Sequence, residues 1–228
     1  FAEAQHIGHL AVAVVLQVEQ QQRRAGLEPE WRVGMAQRAP EGLRIAAHQD
    51  VPDNLACVVA GRRRVTLFPP EQLRNLYIGP LDFNPAGQAI SLVDFEAPDL
   101  GRFPRFAEAM QHAQVADLEP GDAVFIPSLW WHHMEGLDAF NVLVNYWWSS
   151  MPAHIPVPTH ALHHAIWSLR DRPEREKQAW RAMFDYYVFG PPEQAGEHLP
   201  PAARDVLGPV DETMSRRLRA WLIGKLNR

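Results

Sequence analysis

The stretch Val59-Ala60-Gly61-Arg62-Arg63-Arg64-Val65-Thr66-Leu67-Phe68 alternates in a way that decides between helix and strand. Successive side chains of a strand point to opposite faces. Sorted by parity, Val59, Gly61, Arg63, Val65 and Leu67 form one face, while Arg62, Arg64, Thr66 and Phe68 form the other. The first face is apolar except for Arg63. Working outward, further short runs rich in β-branched and aromatic residues fall at Ala56 to Ala60, Arg64 to Phe68, Ala89 to Phe95, Ala123 to Ile126 and Phe140 to Trp148. Turn residues separate them: Gly61, Pro69-Pro70, Pro85-Ala86-Gly87 and Glu119-Pro120-Gly121-Asp122. Strands at this spacing predict a mainly β sandwich or barrel, with a helix over Phe103 to Ala113 inserted between strands.

Near Thr159 the period changes from 2 to 3.6. Trp180, Met183, Phe184, Tyr187 and Val188 follow one another at i, i+3, i+4, i+7 and i+8, with Pro173 in the first turn and Gly190-Pro191-Pro192 as the stop. A last helix opens at Asp211 as N-cap and repeats the pattern through Met214, Leu218, Trp221, Leu222 and Leu226. The expected organisation is a barrel over residues 1–158, its first 40 residues the hardest to read, and a helical extension over 159–228. The two amphipathic helices need a surface to cover them, either the barrel or a second copy of the chain.

The 228 residues are 46% hydrophobic and 21% charged, the profile of a folded globular protein. Net charge is −5, so the chain lacks the basic field that holds a phosphate backbone, and nucleic acid is not expected as a general partner. The lone cysteine, Cys57, can form no internal disulfide, which fits a reducing compartment and a cytoplasmic location. No apolar run approaches the roughly 20 residues that cross a bilayer, so no membrane association is expected. Leu10 to Leu16, the longest candidate, reads as buried structure, and a chain starting at Phe1 reads as a truncated start.

His48-Gln49-Asp50 is the densest group of chemically useful side chains. In a strand, His48 and Asp50 share a face and could share one metal, with a third ligand from Trp130-Trp131-His132-His133, where alternation lets only one histidine face inward. Two histidines and a carboxylate make the facial triad of non-haem Fe(II) oxygenases, and the missing thiolate argues against structural zinc. Taken without its context, His-x-Asp is more often a surface histidine beside a turn aspartate. Arg63, if inward, needs an anion and suits a bidentate carboxylate; a solvated arginine triplet on an edge strand is the equal alternative. Asn145 shares its face with Leu143 and Trp147, so its amide bonds to a ligand or to backbone; Asn54, four residues after Asp50, carries the same two readings. The tryptophans read as core packing, and Tyr77, Asp82 and Phe83 read as shaping a substrate entrance.

His48-Gln49-Asp50 to Asn54, Gly61-Arg62-Arg63-Arg64, Leu67-Phe68-Pro69-Pro70, Pro120-Gly121-Asp122, Ile126-Pro127, Trp130-Trp131-His132-His133 and Asn145-Tyr146-Trp147 together resemble the bacterial cupin-like (JmjC-type) proteins. These are similar to the asparagine hydroxylase that acts on hypoxia-inducible factor. The resemblance runs from His48 to Trp148. It implies a double-stranded β-helix, the jelly-roll cupin barrel, with C-terminal α-helices, holding Fe(II) and using 2-oxoglutarate as cosubstrate. By position it assigns His48, Asp50 and His132 as metal ligands and catalytic residues. Arg63 stands where the hydroxylase has the lysine that pairs with the far carboxylate of 2-oxoglutarate, and Asn54 and Asn145 match cosubstrate-contacting asparagines. Ile45 replaces a threonine that also holds the cosubstrate, which removes one hydrogen bond. The family's C-terminal helices often form a dimer interface, so a homodimer is implied.

The expected activity is therefore a 2-oxoglutarate-dependent dioxygenase, a hydroxylase acting on a peptide or protein side chain or on a small molecule. The alternatives are a non-catalytic, regulatory cupin that binds a metal or small ligand, and a metal-dependent isomerase or lyase, for which no general base stands out.

Overall fold

A computed structural model describes residues 32–33, 37–39, 44–81 and 88–227. Leu10 to Leu16, Asp82 and Phe83 lie outside the described residues. Two units follow one another along the chain, Phe1–Ser150 and Met151–Arg228.

In the first unit the strands are β1 (Arg32–Val33), β2 (Gln37–Ala39), β3 (Arg44–Gln49), β4 (Asp53–Ala60), β5 (Arg63–Phe68), β6 (Gln114–Leu118), β7 (Ala123–Ile126), β8 (Trp131–Gly136) and β9 (Asn141–Trp148). One antiparallel sheet runs β1-β9-β4-β7, with β2 also on β9; the other runs β3-β8-β5-β6. Ala56, Val58, Ile126 and Leu143 from the first sheet interlock with Val65, Leu67, Leu118 and Met134 from the second, so the sheets pack face to face. Each such buried side chain contributes about 1.5–3 kcal/mol. Together they outweigh the several kcal/mol that an inward guanidinium costs. A second cluster covers the outer face of the β3-β8-β5-β6 sheet. There Phe68 and Trp131 meet Phe103, Phe106 and Ala109 of α1 (Phe106–Gln111) and its approach. This is the mainly β architecture with C-terminal helices that the sequence predicts, and it is consistent with a cupin barrel.

Several details differ from the sequence reading. The parity test treats Val59 to Phe68 as one strand, but β4 ends at Ala60 and β5 starts at Arg63. Against β9 the register of β4 slips by one residue between Val58 and Ala60, and Val59 is 56% exposed, away from the face of Arg63. Gly61 makes the turn at φ +69°; a Cβ there would sit 2.1 Å from the Phe140 carbonyl oxygen, so only glycine fits. Ala89 to Phe95 forms no full strand, only the bridges Ile90 to His48 and Ser91 to Ile78. β3, β6 and β8 carry no alternating apolar pattern. In β8, Trp131, His132, His133 and Met134 are all buried, because both faces of that strand are covered.

The second unit holds α2 (Thr159–Leu169), α3 (Glu174–Phe184), which continues into a π-helical turn at Asp185–Phe189, and α4 (Glu212–Leu226). The Asp211 carboxylate caps α4 by accepting from the Met214 backbone N–H at 2.8 Å. Trp180, Met183, Tyr187 and Val188 are exposed, as are Trp221, Leu222 and Leu226. No helix among the described residues is long and apolar enough to cross a membrane.

Candidate metal centre

β3 and β8 are antiparallel neighbours, and their register sets His48 directly opposite His132. Strict alternation would put Ile45 and His48 on opposite faces. Instead the pairing shifts by one residue between them, a β-bulge that turns both inward. The two imidazoles lie with ring centroids 4.2 Å apart. Each has its Nδ1 against the carbonyl oxygen two residues earlier: Ala46 at 2.9 Å for His48, Trp130 at 3.1 Å for His132. A donating Nδ1–H fixes the tautomer and leaves Nε2 as the free lone pair.

Asp50 follows the last residue of β3. Its backbone oxygen accepts from the Leu129 N–H at 2.9 Å, which ties the end of β3 to the turn leading into β8. Leu129 makes that turn at φ +65°. The Asp50 Oδ2 is 3.8 Å from the His132 Nε2, and one ligand atom from each of His48, Asp50 and His132 lies within 4.8 Å of the others.

Burial, then electrostatic repulsion between the neighbouring His48 and His132 imidazoles, pushes His132 down from its ordinary 6.5 to about 4, against the opposing pull of the Trp130 carbonyl and Asp50. At neutral pH it is an unprotonated imidazole. Two imidazoles with oriented Nε2 atoms and one carboxylate fit a divalent transition metal, and the set leaves coordination positions open.

Three N–H groups converge on Asp50. Trp147 Nε1 donates to Oδ2 at 3.0 Å, Asn54 Nδ2 to the same oxygen at 3.4 Å, and Gln88 Nε2 to Oδ1 at 2.6 Å. Asn145 Nδ2 in turn donates to Asn54 Oδ1 at 3.0 Å. Asn54 and Asn145 are thus linked to each other and, through Asn54, to Asp50. Trp147 shares the inward parity of Leu143 and Asn145, so its position was readable even though its bond to Asp50 was not. Gln88 carried no sequence signal.

The arginine triplet divides by parity. Arg62 pairs with Asp138 at 2.8 Å and Arg64 binds Asp117 through two bonds of 2.7 and 2.9 Å, all at the surface. Arg63 is 1% exposed and shares its inward face with Val65 and Leu67. Leu67 pairs with His132, so Arg63, four residues away, lies about 14 Å along the strand from the imidazole row. Burial pushes its guanidinium downward, but the group stays a cation with donors fixed in a fork. Ile45 packs on the core from this interior and offers no hydrogen bond. His133 faces the opposite way and stacks on Phe95 at 4.5 Å. Tyr77 does not reach the site: its ring packs on Phe103 and its hydroxyl accepts from the Arg105 N–H at 3.0 Å.

Facing antiparallel sheets that enclose a histidine-aspartate pair from one strand and a histidine from its neighbour define a cupin-type barrel with a candidate metal site. Residues 32–154, just over half of the chain, match the model of the cupin-like domain, and the protein belongs to that family. Among curated proteins it is 38% identical over 112 residues to tRNA wybutosine-synthesizing protein 5 of Danio rerio, covering 49% of this chain and 31% of that protein. It is 38% identical over 117 residues to lysine-specific demethylase JMJ31 of Arabidopsis thaliana, covering 49% and 21%. It is 39% identical over 94 residues to HSPB1-associated protein 1 of Homo sapiens, covering 41% and 19%. The chain spans about a third or less of the length of these relatives.

Proposed function

We propose that this protein is an Fe(II)- and 2-oxoglutarate-dependent oxygenase that hydroxylates a side chain of a peptide or protein. The observation that supports this most is the convergence of His48, Asp50 and His132 within 4.8 Å inside a barrel that also buries Arg63. Kinship with a protein named as a lysine demethylase favours a protein side chain. The likeness to the asparagine hydroxylase of hypoxia-inducible factor and its bacterial cupin-like relatives belongs to the same reading.

In this mechanism His48 and His132 hold the iron through Nε2, and Asp50 supplies the anionic ligand. Arg63 takes the far carboxylate of the dicarboxylate cosubstrate with its planar fork. Asn54 and Asn145 offer amide hydrogen bonds beside it. Val65, Leu67, Ile126 and Met134 form apolar walls that exclude water and hold the reactants in one geometry. When bound, the iron and 2-oxoglutarate supply the oxidising power, coupling decarboxylation of the keto acid to insertion of one oxygen atom into a substrate C–H bond. The protein acts in the cytoplasm as a homodimer through its C-terminal helices, where the exposed Trp180, Met183 and Tyr187 of one copy cover those of another.

The test is succinate release from iron-loaded protein given 2-oxoglutarate and oxygen, alone and with peptide or small-molecule pools. Succinate that rises with a peptide pool supports the proposal, and the same rise only with small molecules moves the substrate class. If iron and 2-oxoglutarate bind but no arm yields succinate, the protein is a binding cupin.

A further inference from the structure

We propose that Gln88 is a positioning residue for the metal site, holding the Asp50 carboxylate so that a single oxygen faces the ion. This rests on the metal reading above and extends it to a residue outside both sheets. The Asp50 Oδ2 faces His132 at 3.8 Å and accepts from Trp147. The Gln88 Nε2 holds the other oxygen, Oδ1, at 2.6 Å. An amide that turned its oxygen toward a carboxylate at that distance would be repelled, so the donor must face Asp50. With N–H donors on both oxygens, the carboxylate cannot rotate about its Cβ–Cγ bond without breaking a charge-assisted hydrogen bond.

Gln88 also belongs to a segment that touches a second ligand residue. Ile90 bridges to His48, the Ser91 N–H donates to the Ala47 carbonyl at 2.8 Å, and the Gly79 N–H donates to the Ile90 carbonyl at 2.8 Å. The segment therefore lies along the free edge of β3 and grips the His48-Asp50 pair at both ends. Loading the metal fixes Asp50, and through Gln88 it steadies residues 88–91.

The experiment compares wild type with Gln88→Met, which keeps the length of the side chain and removes the donor, and with Gln88→Glu, which opposes Asp50 with a second anion. Co(II) is titrated into full-length, metal-stripped protein and followed by its d–d absorption. Backbone amide exchange at residues 79 and 88–91 is measured with and without Co(II). Loss of such an outer partner costs about 10–100-fold in metal affinity. Gln88→Met is expected to raise the Co(II) Kd by about that factor, alter the d–d band at saturation, and abolish the metal-dependent slowing of exchange at 88–91. Gln88→Glu is expected to bind more weakly still. Circular dichroism of each metal-free variant establishes that it is folded, and either folded variant decides the question. Affinities within twofold of wild type, with an unchanged band, overturn the role of Gln88. A wild-type protein that binds no Co(II) overturns the metal reading itself.

Discussion

Acidifying the metal-free protein should cost stability through His132, beside a contribution in the same direction from buried His133, and the amount due to His132 follows from the structure. His132 is 3% exposed and is held at about 4, against an ordinary 6.5. In the unfolded chain the imidazole takes a proton near 6.5; in the folded chain burial and His48 deny it that proton until about 4. Between these values the unfolded state binds more protons, so stability falls as pH falls. The contribution is complete above 6.5 and gone below 4. At about 1.4 kcal/mol for each tenfold change in proton affinity, the loss is about 3 kcal/mol. That is a sizeable part of the 5–15 kcal/mol typical of a whole domain. Urea unfolding of metal-stripped wild type and His132→Asn, from pH 7 down to pH 4, isolates the effect. The difference between the two should change by about 3 kcal/mol across this window, with wild type losing more. A difference that stays flat from pH 6.5 to 4 would refute the reasoning.

Three other outcomes follow. His132→Ala should abolish iron binding and turnover, measured by metal analysis and succinate release; an active variant with normal iron content would remove this histidine from the ligand set. Arg63→Met should leave the metal Kd within a few-fold of wild type but raise the KM for 2-oxoglutarate by tenfold or more, since a desolvated guanidinium-carboxylate bond to a charged group is worth about 1.5–3 kcal/mol. Gly61→Ala should destabilise the barrel by at least about 1–2 kcal/mol from its left-handed backbone alone, with more from the Phe140 carbonyl, read as a lower midpoint in chemical unfolding.

The sequence disclosed the strands in which a short apolar or β-branched run is set off by turn residues. β5, β7 and β9 were legible because Gly61 and Pro69-Pro70, Glu119-Pro120-Gly121-Asp122 and Pro127, and the polar turn before Phe140 bound such runs. β3 and β8 were not, although they carry the candidate ligands. Trp131 to Met134 is buried on both sides, and Arg44 to Gln49 has a single β-branched residue, so neither leaves a period to detect. The grouping of His48, Asp50 and His132 came from spacing and resemblance, because facing positions on neighbouring strands have no common sequence address. The orientation of Arg63 was legible from parity, whereas Val59 was misplaced because the turn at Gly61 resets the count. Gln88 could not be found at all: its role exists only where the Ile90 to His48 bridge brings it to Asp50.

Across the β3-β8 ladder, the two alanines Ala46 and Ala47 stand against the single residue His133. This extra residue acts as a phase shift in the pleat. Shortening the chain by one alanine would give regular pairing with Ile45 still opposite Met134 and His48 still opposite His132, because residues two apart in a regular strand share a face. Straightening the ladder at the present chain length, by contrast, would send either His48 or Ile45 to the outer face and dismantle the metal centre without altering any ligand. A single-codon deletion at Ala46 is therefore compatible with the facing of the site, and the extra alanine is the slack that the bulge absorbs.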